Sequence, residues 1–460
     1  MIQLRRELGM TAAISIVVGT IIGSGIFRVS QGAAQQLGEP GLVFFIWIFG
    51  GLLTLAGALT YAEMAAAMPE AGGEYVYLRE AYGPYFAFIY GWTQFWVAKS
   101  GSIATLATAF FDYFAQLAPE VAKTAFVIPL PFGEGGGPLD VHYSQLCAMA
   151  IILSLAIVNY FGVKAGGNLQ IVLTILKVAL IAGIVAFGLF GGKGSVSNFT
   201  TSTPAPGGIT GFFAALVGIL WAYDGWNNVS MVSSEIKNPQ RNLPRALIFG
   251  TLAVMGIYLA CNLAYFYVLD ISQVAASNRV AATMMNAVTG PIGAAGVAIA
   301  VMVSIFAALN GSILTGARVP FAMARDGLFF RAIGDVHPVR RTPGNSIFWM
   351  SAWGAVLVLS GRYEQLFTYV IFASWILYGM ATAAVLVLRR KRPDLERPYK
   401  TLGYPVVPII FVMVAALLLF FTMRDSPRES LMGLSLIAAG TPFYFYWKRR
   451  RPAAVKLERD

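Results

Sequence analysis

Cysteine and histidine are nearly absent: 460 residues hold two of each. Cys147 and Cys261 both fall inside apolar runs, with neither a disulfide framework nor a metal-ligand spacing. His142 and His337 lie near loops. There is no HExxH pair, P-loop or nucleophile elbow, so the sequence gives no support to an enzyme and calls for no cofactor or metal. Charge is scarce too. Asp, Glu, Lys and Arg make up 12% of the chain, about half the share of an average soluble protein. With 57% hydrophobic residues, this excludes a soluble domain and also a soluble domain on a single anchor. The net charge of +11 would suggest nucleic acid on a soluble protein. Here the basic excess sits in short loops between apolar runs, so no nucleic-acid partner is expected. A separate cleavable leader is missing, and the first apolar run reads as a retained insertion signal.

What is present is a series of twelve apolar runs on the scale of about 20 residues, enough to cross a bilayer. They lie near 10–37, 41–67, 84–117, 142–162, 168–190, 209–234, 245–269, 291–324, 345–360, 364–389, 404–423 and 428–448. The ninth is the shortest. Turn-rich loops such as Gly38-Glu-Pro40 and Ser202 to Gly208 separate them. With a cytoplasmic N-terminus, the inner side receives Arg5, Arg6, Arg79, Lys164, Lys237, Arg241, Arg245, Arg325, Arg331, Arg340, Arg341, the cluster Arg389–Arg392, Arg397, Lys400 and the tail from Lys448. The outer side receives only Lys123, Lys193, Arg279, Arg362, Arg424 and Arg428. The positive-inside rule therefore puts both termini in the cytoplasm. The basic runs at 389–392 and 448–451 suit contact with anionic membrane lipid.

Two of the runs are interrupted. The first contains Val18-Gly-Thr-Ile-Ile-Gly-Ser-Gly-Ile-Phe27, and each Gly costs a helix about 1 kcal/mol against Ala. The sixth contains Trp221-Ala-Tyr-Asp-Gly-Trp-Asn-Asn228, whose Asp, Gly and two Asn are poor mid-membrane helix residues. Broken backbone at membrane depth is tolerated only where it lines a cavity. The interruptions open the first and sixth runs, five helices apart, and an odd number of helices per repeat inverts the second repeat. This predicts an all-α membrane protein of twelve helices in one transport domain. Repeat one covers about 10–190 and repeat two about 209–389. Two further helices occupy about 404–448, and a cytoplasmic tail 449–460. Matched broken helices are the best sequence pointer to a transporter's binding site.

Three stretches carry a family resemblance: Gly19-Thr-Ile-Ile-Gly-Ser-Gly-Ile-Phe27; Tyr61-Ala-Glu-Met64 with Pro69-Glu-Ala-Gly-Gly-Glu-Tyr75; and Trp221 to Asn227 with Glu235-Ile-Lys-Asn-Pro-Gln-Arg-Asn-Leu-Pro244. The chain resembles permeases of the amino acid–polyamine–organocation superfamily, most of all the L-type amino acid transporter branch. The resemblance implies a LeuT-like fold with broken helices 1 and 6, alternating access, and amino acids as substrates. Animal members of the branch join a heavy subunit through a cysteine in the loop after the third helix. The loop from Pro119 to Val141 has none, which implies a prokaryotic form without a disulfide-linked heavy subunit, in a bacterial inner membrane.

A zwitterionic substrate needs both signs. The helix restarting after Gly25 offers unpaired N–H groups and a positive dipole end to a carboxylate, with Gly23, Ser24, Gly25 and Ile26 at that place. Carbonyls freed at Ile21, Trp221 and Asp224 can accept from the ammonium. The resemblance makes Trp221 an aromatic gate. Asn227 is placed either to bond the substrate or to stabilise the break. Lys177, mid-span in the fifth run, stands where the family puts an ammonium in place of a sodium ion, with Ser304 as partner, which implies sodium independence. Asp224 has three readings: recognition of a cationic substrate side chain, a helix N-cap, or a pair with a protein cation such as Lys99. Lys99 itself stays unassigned among pairing with an acid, lining the path and snorkelling, and Asp112 on the same helix, about 20 Å away, is not its direct partner. Arg28 and Arg318 sit nearer span ends, as gate or interface residues. The expected function is sodium-independent exchange of amino acids, neutral ones at its core and cationic ones through Asp224. A proton-coupled symporter of the same fold is the nearest rival.

Overall fold

The computed structural model describes residues 3–128, 139–359 and 363–450, with the backbone alone at 139 and 363–371. Helix dominates it. The first half carries α1 (Met10–Ile21), α2 (Ser30–Leu37), α3 (Pro40–Ala67), α4 (Glu74–Tyr82), α5 (Pro84–Thr93), α6 (Lys99–Phe114), α7 (Tyr143–Phe161) and α8 (Val163–Phe190). The second half carries α9 (Gly208–Ala222), α10 (Asn228–Met231), α11 (Pro239–Val268), α12 (Ile271–Ala276), α13 (Val280–Thr289), α14 (Pro291–Gly316), α15 (Arg318–Arg325), α16 (Gly344–Leu359) and α17 (Tyr363–Lys391). Then come α18 (Val406–Asp425), α19 (Pro427–Ala438) and α20 (Gly440–Arg450). Every apolar run of the sequence is occupied by helix.

Among the described residues, seven helical stretches are long and apolar enough to cross a bilayer: α3, α7, α8, α11, α14 with α15, the part of α17 from Phe372, and α18. Of the shorter apolar helices, α1 and α9 stop at the two sequence interruptions, and α16 is the short ninth run. The faces are those of a protein solvated by lipid. On α8, Gln170, Thr174 and Lys177 are buried, while Val172, Ile175 and Leu176 face outward. The buried set recurs at three- and four-residue spacing, one face of a helix, so the polar side chains turn inward and the apolar ones toward the bilayer.

Three features depart from the sequence reading. The all-α expectation misses an antiparallel hairpin, β1 (Thr124–Ile128) against β2 (Leu139–His142), paired from Thr124↔His142 to Ile128↔Leu139. The β-branched and aromatic run Thr124-Ala-Phe-Val-Ile128 was the available signal. Residues 129–138 of that loop lie outside the described ones, as do Arg362 and the tail beyond 450. The third run is divided between α5 and α6 by a π turn, Gln94–Ala98. There the Ser100 hydroxyl donates to the Phe95 carbonyl at 2.6 Å, five residues back. Such wide turns often mark functional positions. Finally, α4, α12 and α13 fold segments read as loops. For α12 the cause is local: the Asp270 side chain accepts from the Gln273 amide at 2.9 Å, and the Gln273 side chain accepts from the Asp270 amide at 3.1 Å, a capping box.

One charged pair locks the chain just beyond α10. Arg318, fully buried, gives Glu235 two parallel bonds, Nε to Oε2 at 2.7 Å and Nη2 to Oε1 at 2.9 Å, and a third to the Leu314 carbonyl. The Glu235 carbonyl accepts from the amides of Glu7 and Leu8 at 3.0 Å each. Removing one member of a buried pair leaves the other charge uncompensated. Glu235→Gln is therefore expected to cost roughly 3 kcal/mol of stability, seen as a lowered unfolding midpoint in detergent. A shift no larger than that of Glu39→Gln, at an exposed site, would refute this.

Candidate functional site

The first interruption is a true break. α1 ends at Ile21, and Ile22 turns to extended backbone with φ −75° and ψ 95°. Helix resumes as a single 3-10 turn, Gly25–Phe27, before α2. Across the gap, the amides of Gly23, Ser24, Gly25 and Ile26 donate to no protein acceptor among the described residues. These are the orphan donors of a helix N-terminus.

The second break follows Ala222. Tyr223 to Asn227 form turns, with Gly225 at φ +100°, and α10 starts at Asn228. The two breaks touch. A Cβ on Gly225 would lie 2.9 Å from the Thr20 carbonyl oxygen, and one on Gly25 would lie 2.8 Å from Ala222 Cβ. The Thr20 hydroxyl reaches the Gly225 carbonyl at 2.8 Å and that of Ile16, on its own helix, at 2.7 Å. The Tyr258 hydroxyl, from α11, reaches both helix ends, the carbonyls of Ala222 at 2.7 Å and Ile21 at 3.2 Å.

Lys177 closes the first break from the other side. Its ammonium donates to the carbonyls of Gly19 (2.9 Å), Ile22 (2.6 Å) and Ser304 (3.0 Å). An ammonium has three donors, and all three are used in a fully buried position. Ser304 adds its hydroxyl, 2.9 Å from the Gly23 carbonyl and 3.0 Å from that of Ile22. Lys177 and Ser304, far apart in sequence, thus meet on one stretch of α1 backbone.

Between the breaks lies a cavity lined by Thr20, Ile21, Gly23, Ser24, Gly25, Trp221, Ala222, Asp224, Gly225, Asn228 and Ser312 together with Lys99, Ser102 and Leu106. A second cavity shares Lys99, Ser102, Leu106, Trp221 and Asp224, and extends to Gln94, Thr105, Trp375 and Tyr378. Trp221 lies on both. Six of the expected residues, Ile21, Gly23, Ser24, Gly25, Trp221 and Asp224, therefore come together. Ile26 and Asn227 do not line either cavity. The Asn227 amide turns away and donates to Glu74.

Two expectations change. Asp224 caps no helix: α10 begins four residues later, and Asp224 Oδ1 accepts from the Tyr378 hydroxyl at 2.7 Å. The carbonyls of Ile21 and Trp221 are not free, since each already accepts one bond, from Tyr258 and from the Asp224 amide at 3.0 Å. Each keeps a second lone pair. Arg318 pairs with Glu235 in the interior, while Arg28 is exposed. Sequence reasoning left Lys99 unassigned, with lining the path among its readings, and the structure puts it on the wall of both cavities; it missed Asn228, Tyr258, Tyr378 and Glu74. Lys99 and Glu74 carried a signal, as ionisable residues within or beside apolar runs. The tyrosines carried none, because 20 occur in the chain.

Two helix breaks back to back around a polar cavity, in a bundle with apolar outer faces, define a membrane carrier for a small polar solute. The model of one protein family, described as amino acid permease, matches residues 8–441. The serine/threonine exchanger SteT of Bacillus subtilis is 34% identical over 454 residues, covering 97% of this chain and 98% of its own. The b(0,+)-type amino acid transporter 1 of Mus musculus is 33% identical, covering 99% and 92%. The large neutral amino acids transporter small subunit 2 of Oryctolagus cuniculus is 31% identical, covering 98% and 82%. The chain belongs to the amino acid permease family. It is an integral membrane amino-acid transporter and not an enzyme.

Proposed function

We propose that the protein exchanges neutral amino acids across the bacterial inner membrane by alternating access, without sodium. One observation carries this reading: three residues with unpartnered amides, Gly23, Ser24 and Gly25, line the cavity that Trp221, Asp224 and Gly225 of the second break also line. The amides suit a carboxylate, and the carbonyls of Ile21, Trp221 and Asp224 suit an ammonium. Trp221, on both cavities, is the gate above the bound amino acid. Lys177, bonded to the carbonyls of Gly19, Ile22 and Ser304, takes the place of a sodium ion. The name of the Bacillus relative, a serine/threonine exchanger, supports both exchange and small neutral substrates. The wider frame is a twelve-helix LeuT-like inverted repeat with both termini in the cytoplasm. The transporter works without a disulfide-linked heavy subunit, since the 119–141 loop has no cysteine.

The test is uptake of labelled serine into proteoliposomes, with every amino acid as competitor. Uptake is expected only when the vesicles are preloaded with substrate. Uptake into empty vesicles that follows an imposed pH gradient would replace exchange with proton coupling.

Asp224 extends the range to cationic substrates, because a carboxylate in a desolvated pocket favours a cationic side chain. Asp224→Gly is expected to lower labelled arginine uptake by roughly tenfold or more, the equivalent of one charge-assisted hydrogen bond. Alanine uptake should change little. Equal loss of both, or no arginine uptake by the wild type, would leave Asp224 as an anchor for Tyr378.

A further inference from the structure

The two adjacent asparagines that open α10 are gripped by buried ions of opposite sign. Asn227 donates its side-chain amide to Glu74 Oε1. The other oxygen, Oε2, accepts from the Tyr90 hydroxyl at 3.0 Å and lies 3.4 Å from the Ser230 hydroxyl. On the next residue the polarity reverses, and Asn228 Oδ1 accepts from Lys99 Nζ at 2.7 Å. Glu74 and Asn227 are fully buried, Asn228 is 2% exposed and Lys99 is 6% exposed. Among the described residues, no ion pair within 4 Å joins Lys99 to Glu74 or to Asp224.

A buried ion needs fixed partners. Here both ions find one in the same two-residue step of backbone. They reach it from different elements: Glu74 opens α4, and Lys99 opens α6 directly after the π turn. The position of α10 is passed on into the break. The Asn228 amide donates to the Gly225 carbonyl at 3.1 Å, and Gly225 packs against the Thr20 carbonyl.

We propose that Glu74 and Lys99 are positioning residues, an ion pair split by Asn227 and Asn228, that hold the second break in its substrate-binding shape. The inference rests on the reading of that break as the amino-acid site. Two buried charges that balance through a shared dipole pair must be coupled. Removing one weakens the compensation of the other, with Asp224 as the further acid on the cavities that Lys99 lines, and removing both relieves it.

The experiment is a double-mutant cycle on the full chain in proteoliposomes, reading KM and maximal rate of serine exchange, with unfolding midpoints in detergent. Glu74→Gln and Lys99→Met alone are each expected to raise KM by roughly 30-fold. The double variant should return to within roughly fivefold of wild type. Single-variant effects that multiply in the double would overturn the proposal. So would coupling confined to the unfolding midpoint with KM unmoved, because the pair would then support stability alone. Should a single variant fail to insert, Asn228→Leu carries the test. It removes the acceptor of Lys99, and its raised KM should be reversed by adding Lys99→Met. An unreversed loss there overturns the proposal. A wild type that exchanges no amino acid would overturn the functional reading and this inference with it. A wild type that exchanges, with an additive cycle, overturns this inference alone.

Discussion

Lys177→Ala is expected to bring exchange down to background, a loss on the order of 100-fold or more. The ammonium is the shared donor of three buried carbonyls, on Gly19, Ile22 and Ser304. Alanine withdraws that donor from all three, of which the Ile22 carbonyl keeps the Ser304 hydroxyl, at about 1–3 kcal/mol for each buried group left unsatisfied. Even about 3 kcal/mol set against the broken conformation of α1 is more than a hundredfold in its population. Two of the carbonyls belong to the end of α1 and the third to α14, so the variant also unties the two helices. Because the lysine already brings a positive charge to this place, the wild type should exchange equally well in sodium and in choline. A strict sodium requirement in the wild type, or a Lys177→Ala protein that exchanges at the wild-type rate, would reject the role assigned to this residue. Gel filtration of the variant separates lost function from failed insertion.

Gly25→Leu is expected to abolish substrate binding, also by on the order of 100-fold or more. A Cβ at Gly25 would lie 2.8 Å from Ala222 Cβ and 2.9 Å from Ala222 Cα. The second of these is backbone, so α9 itself must move. The rest of the leucine would stand among the amides of residues 23–26, in the space assigned to a carboxylate. Two charge-assisted hydrogen bonds of about 1.5–3 kcal/mol each would be lost. Gly23 is the internal control. A Cβ there meets only Leu106 Cδ2, at 3.8 Å, an ordinary contact, so Gly23→Ala should bind with a much smaller loss. Near wild-type affinity in Gly25→Leu, measured by substrate-induced thermal shift or labelled binding, would sink the carboxylate assignment. Equal damage from Gly23→Ala and Gly25→Leu would show that the contact with Ala222 is not what matters.

Much of the site was legible because its signals are local. A bilayer forbids unpaired backbone, so Gly23-Ser-Gly25 and Asp224-Gly-Trp-Asn227 announce breaks without any knowledge of neighbours. Lys177 was legible for a similar reason, since a cation in the middle of an apolar run requires acceptors at the same depth. Asn227 shows where this stops. Its composition marked a break, but whether its amide faces the cavity or Glu74 depends on an element 153 residues away.

The sequence by itself determined that this is a membrane protein, that its apolar runs are helical and where two of them break. Those conclusions need only hydropathy, helix propensity and the rule that buried backbone must be satisfied. Tertiary structure alone decided who meets whom. It gave Lys99 to Asn228, 129 residues on, and Asp224 to Tyr378, 154 residues on. It also set the Tyr258 hydroxyl between two helix ends and the π turn ahead of Lys99. Such pairings are fixed by the packing of whole helices, and one hydroxyl or ammonium among many carries no mark in the sequence of the partner that packing will bring to it.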